Sequence, residues 1–187
     1  MGTRGFIGLT IEGKTIATYN HYDSYPSHLG VQVGTFVQDA DLAKLPGQIK
    51  KLRIVDEQDK PTKAQRGKLE RLDVLPANVS TGTDWYSALR DLQGDLAGYL
   101  RVGYFPASEG ILEGGWGAEW GYIVNLDSRT LLVYKCRWNE VPSVVDRLSF
   151  DTLLSNDFEL AEYMEKLEAY VWARIDAEDL ERIAVTV

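Results

Sequence analysis

One cysteine, Cys136, is found among 187 residues. A single thiol excludes an intrachain disulfide and any zinc site built on several cysteines, and it suits a reducing, cytoplasmic compartment. Long apolar runs are missing as well: nothing approaches the ~20 consecutive apolar residues of a membrane-spanning helix. The opening MGTRGFIGLTIEGK has a short apolar segment and no small-residue cleavage site, so no secretory signal is expected. Phe6 occupies the position where a myristoylation signal carries Ser or Thr. Basic charge is scarce: 20 Lys and Arg against 28 Asp and Glu give a net charge of −8. The most basic stretch, KAQRGKLER at 63–71, reads as a solvated helix face. A nucleic-acid backbone would be repelled by such a chain, so neither nucleic acid nor membrane is an expected partner.

Two signatures are also missing: there is no G-x-G-x-x-G between a strand and a helix and no G-x-S-x-G elbow, and the glycine-rich EGGWGAEWGY does not continue as a G-x-x-x-x-G-K-[ST] phosphate loop. No cofactor is therefore expected. Cys136 follows Lys135 and precedes Arg137, and neighbouring cations lower a thiol pKa. Adjacent strand residues point to opposite faces, however, and no histidine is fixed beside it, so Cys136 reads as a small buried residue.

What is present is the composition of a globular protein, 44% hydrophobic and 26% charged, and 187 residues suit a single domain over 1–187. GFIGLTIEGKTIATYN divides at Glu12-Gly13 into two strands, a β-hairpin. Leu29, Val33, Phe36 and Val37 recur at helical spacing and predict a helix from Ser27 or His28 to about Asp39. DADLAKL and PGQIKKLRIV suggest further helix broken near Pro46-Gly47, and Pro61 and Pro76 bracket a short one. Thr83 or Asp84 is a suitable cap for a helix through 100, with Trp85, Ala88, Leu89, Leu92, Leu96, Tyr99 and Leu100 on its inner face. The glycines of 105–119 predict a flexible loop. A second hairpin, residues 122–124 and 131–134, turns at Asp127-Ser128. A long amphipathic helix capped by Asn156 or Asp157 ends the chain, its stripe being Phe158, Ala161, Met164, Leu167, Tyr170 and Val171. The fold class that follows is α+β: an antiparallel sheet built from two hairpins, with helices packed on it.

Chemistry concentrates in YNHYDSYPSHLG at 19–30, which holds both histidines, His21 and His28, with Asp23 and three tyrosines. Two histidines and a carboxylate suit a transition metal, but their irregular spacing does not define a site, and no metal is expected. Asp23, Ser24 and Pro26 could equally shape an ordinary turn. The third reading is a recognition surface held at the end of a rigid strand. Arg4, just ahead of the first strand, offers a planar fork for a carboxylate or phosphate, or a partner for Asp23. EGGWGAEWGY adds Trp116 and Trp120 as stacking faces between glycines that let a ligand approach the backbone.

MGTRG followed by TYNHYDSYPSHLG resembles a group of uncharacterised phage and bacterial proteins, with distant fungal look-alikes, that begin G-T-R-[GH]-x-I and continue with an aromatic-polar-D-[SG]-Y-P signature. The resemblance covers roughly the first forty residues and extends to WGYIVNLDSRTLLVY. A weaker likeness is to N-terminal-nucleophile hydrolases, whose hairpins build facing sheets. Those enzymes need Cys, Ser or Thr as the mature first residue, and here Gly2 precedes Thr3. The resemblance implies no activity of its own, and the residues leave two functional readings. The first is a binding protein of phage-accessory or counter-defence type. It would hold a small polar or phosphorylated ligand, or a host protein, through Arg4, Tyr19, His21, Asp23 and Tyr25 with Trp116 or Trp120. The second is a hydrolase or transferase with His21 as general base oriented by Asp23.

Overall fold

The computed structural model of the chain describes residues 2–75, 82–137 and 140–185. It is α+β, with a five-stranded sheet, a two-stranded sheet and a long C-terminal helix. β1 (Gly5–Ile11) and β2 (Lys14–Asn20) form the first hairpin, with Glu12 and Gly13 at positive φ in its turn. β5 (Trp120–Asn125) and β6 (Thr130–Lys135) form the second, as the sequence indicates.

The sheet corrects the expected antiparallel arrangement. Its order is β2-β1-β5-β6 with a fifth strand at the β6 edge, and β1 runs parallel to β5, with Gly5 opposite Trp120 and Phe6 opposite Gly121. The two hairpins share one sheet through their first strands, so that sheet is mixed. Both central strands are buried on both faces, as parallel pairs generally are. β7 (Ser143–Ser149), which no apolar alternation marks, adds an antiparallel edge. β3 (Arg53–Asp56), expected as helix, pairs in parallel with β4 (Tyr104–Ala107), which overlaps the start of the segment expected as a flexible loop. β4 is anchored beside β2 by Ser108 N donating to the Ala17 carbonyl at 3.0 Å.

Helices cover one face. A π-helical turn, Pro26–Gly30, leads into α1 (Val31–Asp39), with Leu29, Val33 and Val37 buried as expected. α2 (Leu45–Ile49) and α3 (Lys63–Arg71) follow, α3 closed by a Thr62–Gln65 capping box. Pro76, expected to bound α3, lies outside the described residues. The single helix expected over 84–100 is in fact α4 (Trp85–Ala88), a 3-10 turn and α5 (Leu96–Val102). Gly94 at φ +85° breaks it, and Asp95 recaps the chain by accepting from Gly98 N at 2.8 Å. Six residues of the expected inner face, from Trp85 to Tyr99, are buried all the same, and Leu100 is half-buried. After α6 (Phe150–Leu153), α7 (Leu160–Val185) begins beyond the expected cap and packs through Leu160, Met164 and Val171. Ala161 and Tyr170, placed in its apolar stripe from spacing, are exposed. No helix among the described residues is long and apolar enough to cross a membrane.

Strand alternation divides the core. Ile7, Leu9, Trp120, Tyr122, Val124 and Val133 meet the helices, while Phe6, Ala17, Tyr19, Ile123 and Leu132 form a second cluster on the opposite face. A row crosses that second face: Tyr19, Phe6, Gly121 and Tyr134 are successive register partners. The Phe6 ring fills the space over Gly121, where an added Cβ would lie 2.1 Å from its tip. Gly121→Ala should therefore cost about 1–3 kcal/mol, the range of an overpacked core. In urea titrations the Gly121→Ala/Phe6→Leu pair should cost less than the sum of the two single changes. Simple additivity would contradict this packing.

Candidate functional site

The second strand, β2, leads directly into the loop, and the loop is pinned to the sheet's centre. Ser24 is fully buried. Its N–H donates to the Thr3 carbonyl at 3.0 Å, and its carbonyl accepts from the Tyr122 hydroxyl at 2.9 Å. Its hydroxyl accepts from Asn20 Nδ2 at 2.8 Å, and the same Asn20 amide donates to the Tyr22 carbonyl. Gly5 permits this close approach: a Cβ there would stand 2.5 Å from that of Ser24. Gln93 and Arg90 hold the loop from its other side. Gln93 Oε1 accepts from His21 N at 3.1 Å, and Arg90 donates to the Tyr22 hydroxyl at 2.6 Å while lying over the Tyr22 and Tyr86 rings.

Beside this loop opens a cleft of about 670 Å³ whose walls include Arg4, His21, Tyr22, Tyr25, Glu119 and Cys136. It lies where β1 and β5 begin and β2 and β6 end. His21 Nδ1 hydrogen-bonds the Tyr19 hydroxyl at 3.0 Å, and its ring stands edge-on to Tyr22 at 4.9 Å. Burial raises the Tyr19 pKa, and the nearby Arg4 charge opposes that rise. Arg4 is exposed, and among the described residues its guanidinium has neither an ion pair nor a hydrogen bond; the pairing with Asp23 weighed from the sequence is not formed.

The loop thus brings Arg4, Tyr19, His21 and Tyr25 together. Trp116 joins them through Tyr19, its ring 5.6 Å away, with its indole N–H donating to the Glu109 carbonyl at 2.8 Å. Trp116 sits at φ +70°, between the glycines of a loop that is ordered by a 3-10 turn at Ile111–Glu113. Trp120 does not join. It is fully buried on the helical face, its ring against Trp172 and under the Lys135 ammonium at 4.7 Å. Residues 116 and 120 fall on opposite sides of the sheet. Asp23 is exposed at φ +34° and shares no hydrogen bond with His21; the Tyr19 hydroxyl takes that place. His28 is exposed and bonds Gln32 at 3.2 Å, apart from His21. Burial pushes the Cys136 thiol up to about 12 despite Lys135, which leaves it a thiol at neutral pH.

Sequence reasoning missed the supports. Glu57 is buried and accepts from Ser108 Oγ at 2.8 Å, and Ser108 Oγ in turn accepts from Tyr19 N at 2.8 Å. This links β4 to the strand that carries the site's tyrosine. Neither residue stands in a patterned stretch, and only the topology that sets β4 beside β2 reveals them.

No protein-family model, curated protein or solved structure matches the chain.

Burial raises the Glu57 pKa, with Ser108 opposing the rise and Asp56 and Asp84 adding to it. The folded state then binds this proton more tightly than the unfolded chain. Stability from this group is full below the ordinary glutamate pKa and is lost as pH rises through the raised folded value. Glu57→Gln keeps an acceptor for Ser108 and removes the titration. Urea titrations from pH 4 to 7 should show the variant's stability relative to the parent rising with pH. A relative fall would contradict a carboxyl held against its charged form.

Proposed function

We propose that the protein is a binding protein that holds a small polar ligand in this cleft, with Arg4 anchoring an acidic group of the ligand. The observation that carries the reading is an exposed guanidinium that has no side-chain partner among the described residues, at the mouth of a prebuilt aromatic cleft. A guanidinium presents paired donors to a carboxylate or phosphate, and both groups share that chemistry. The Tyr19–His21 pair and Tyr25 supply further polar contacts, and the bonds that lock Tyr22 and His21 reduce the ordering cost of binding. A binding role is favoured over acid–base catalysis because His21 lacks the Asp23 contact that would orient it as a base. In the setting implied by the GTRG resemblance, such a protein would act as a phage accessory or counter-defence factor that captures a small host molecule.

Native mass spectrometry of the full chain, mixed with a cell extract rich in nucleotides and small metabolites, tests the reading. An added mass should appear on the parent and be lost or weakened about ten- to a hundredfold in Arg4→Gln, as expected for one charge-assisted contact. An unliganded mass in every extract would overturn the small-ligand reading in favour of a protein partner. A ligand consumed over time would move the protein to the enzymes.

A further inference from the structure

We propose that the cleft selects a zwitterion: a small molecule of the α-amino-acid class, with its carboxylate on Arg4 and its ammonium on Glu119. The inference rests on the binding reading above and narrows its ligand. Glu119 N donates to the Arg4 carbonyl at 2.8 Å, so the two residues are fixed side by side where β1 and β5 begin, and both line the cleft. Opposite charges held so close would ordinarily pair. Among the described residues they do not: neither side chain forms an ion pair within 4.0 Å or a side-chain hydrogen bond. Lys135, the neighbouring cation, feels the Glu119 charge without an ion pair to it, its nitrogen lying over the rings of Trp120 and Trp172, 4.7 and 4.4 Å from their centroids.

The arrangement leaves a cation and an anion facing one space. A phosphate dianion on Arg4 would be repelled by the Glu119 carboxylate, which offsets much of what Arg4 gives. A simple carboxylate meets the same repulsion at lower charge. A zwitterion meets neither, because each of its charged groups faces its opposite. Tyr22, 51% exposed, and half-buried Tyr25 line the same cleft, and aromatic faces favour an ammonium.

Amide 1H–15N spectra of the full chain test this, with separate titrations of the twenty standard amino acids, acetate, methylammonium and inorganic phosphate. At least one amino acid should shift the Arg4, His21 and Glu119 amides at a concentration about tenfold or more below that of acetate or phosphate, a difference worth a single good ionic contact. Glu119→Gln should lose that preference while binding acetate or phosphate as well or better, and Arg4→Gln should lose all of them. Both side chains lie outside the core, and thermal melts of each variant confirm that the fold is retained. If acetate or phosphate shifts these amides and no amino acid binds more tightly, the zwitterion is overturned and the anion-binding reading stands. If no probe shifts them, the zwitterion is likewise overturned, and the extract measurement alone decides the broader reading.

Discussion

Ser24 carries the hydrogen bonds on which the cleft depends. Its amide, carbonyl and hydroxyl are bonded to Thr3, Tyr122 and Asn20, so one buried residue ties the loop to the residues beside β1, to β5 and to β2. Each bond contributes on the order of 1 kcal/mol net, yet leaving any one of these buried groups unpaired costs about 1–3 kcal/mol. The arrangement is therefore close to all-or-none. It also explains why Asp23, the residue just before it, tolerates a positive φ: the bonds on either side of it fix the path of the backbone.

The parallel pairing of β1 with β5 determines where this happens. It brings the start of the first hairpin to the start of the second, so Arg4 meets Glu119 and Thr3 meets the loop. The opposite end of the sheet is closed by a different device. Asp127, in the second hairpin's turn, accepts from Glu12 N and Gly13 N of the first, at 2.8 Å each. One end is thus bound turn to turn, and the other is left open as a cleft. The two tryptophans of EGGWGAEWGY separate on the same logic. Trp120 turns toward α7 and becomes core, and Trp116, in its left-handed loop position, remains beside Tyr19.

Much of this was legible in the residues. The two hairpins, the helical spacing of Leu29, Val33 and Val37, and the capping role of Asp84 are local patterns, and local patterns survive in the fold. The density of polar and aromatic groups in YNHYDSYPSHLG marked the cleft wall, and Arg4, Tyr19, His21 and Tyr25 do converge there. Pairings between distant strands were not legible. The β1–β5 register, the β3–β4 sheet and the edge strand β7 depend on partners far along the chain. For that reason Glu119, Glu57 and Ser108 passed as ordinary residues, and Trp120 passed as a ligand contact. Helix breaks were hidden for another reason: Gly94 and Asp95 interrupt a run whose apolar spacing continues unbroken across them.

The loop is a rigid, prebuilt wall held by its buried serine. Native-state hydrogen exchange of the Ser24 amide tests that most directly. This amide should exchange as slowly as those of Ile7 and Leu9 in the buried first strand, opening only with the whole sheet. Exchange as fast as that of an exposed turn, with β1 still protected, would show a loop that opens on its own, and the cleft would then be no fixed site.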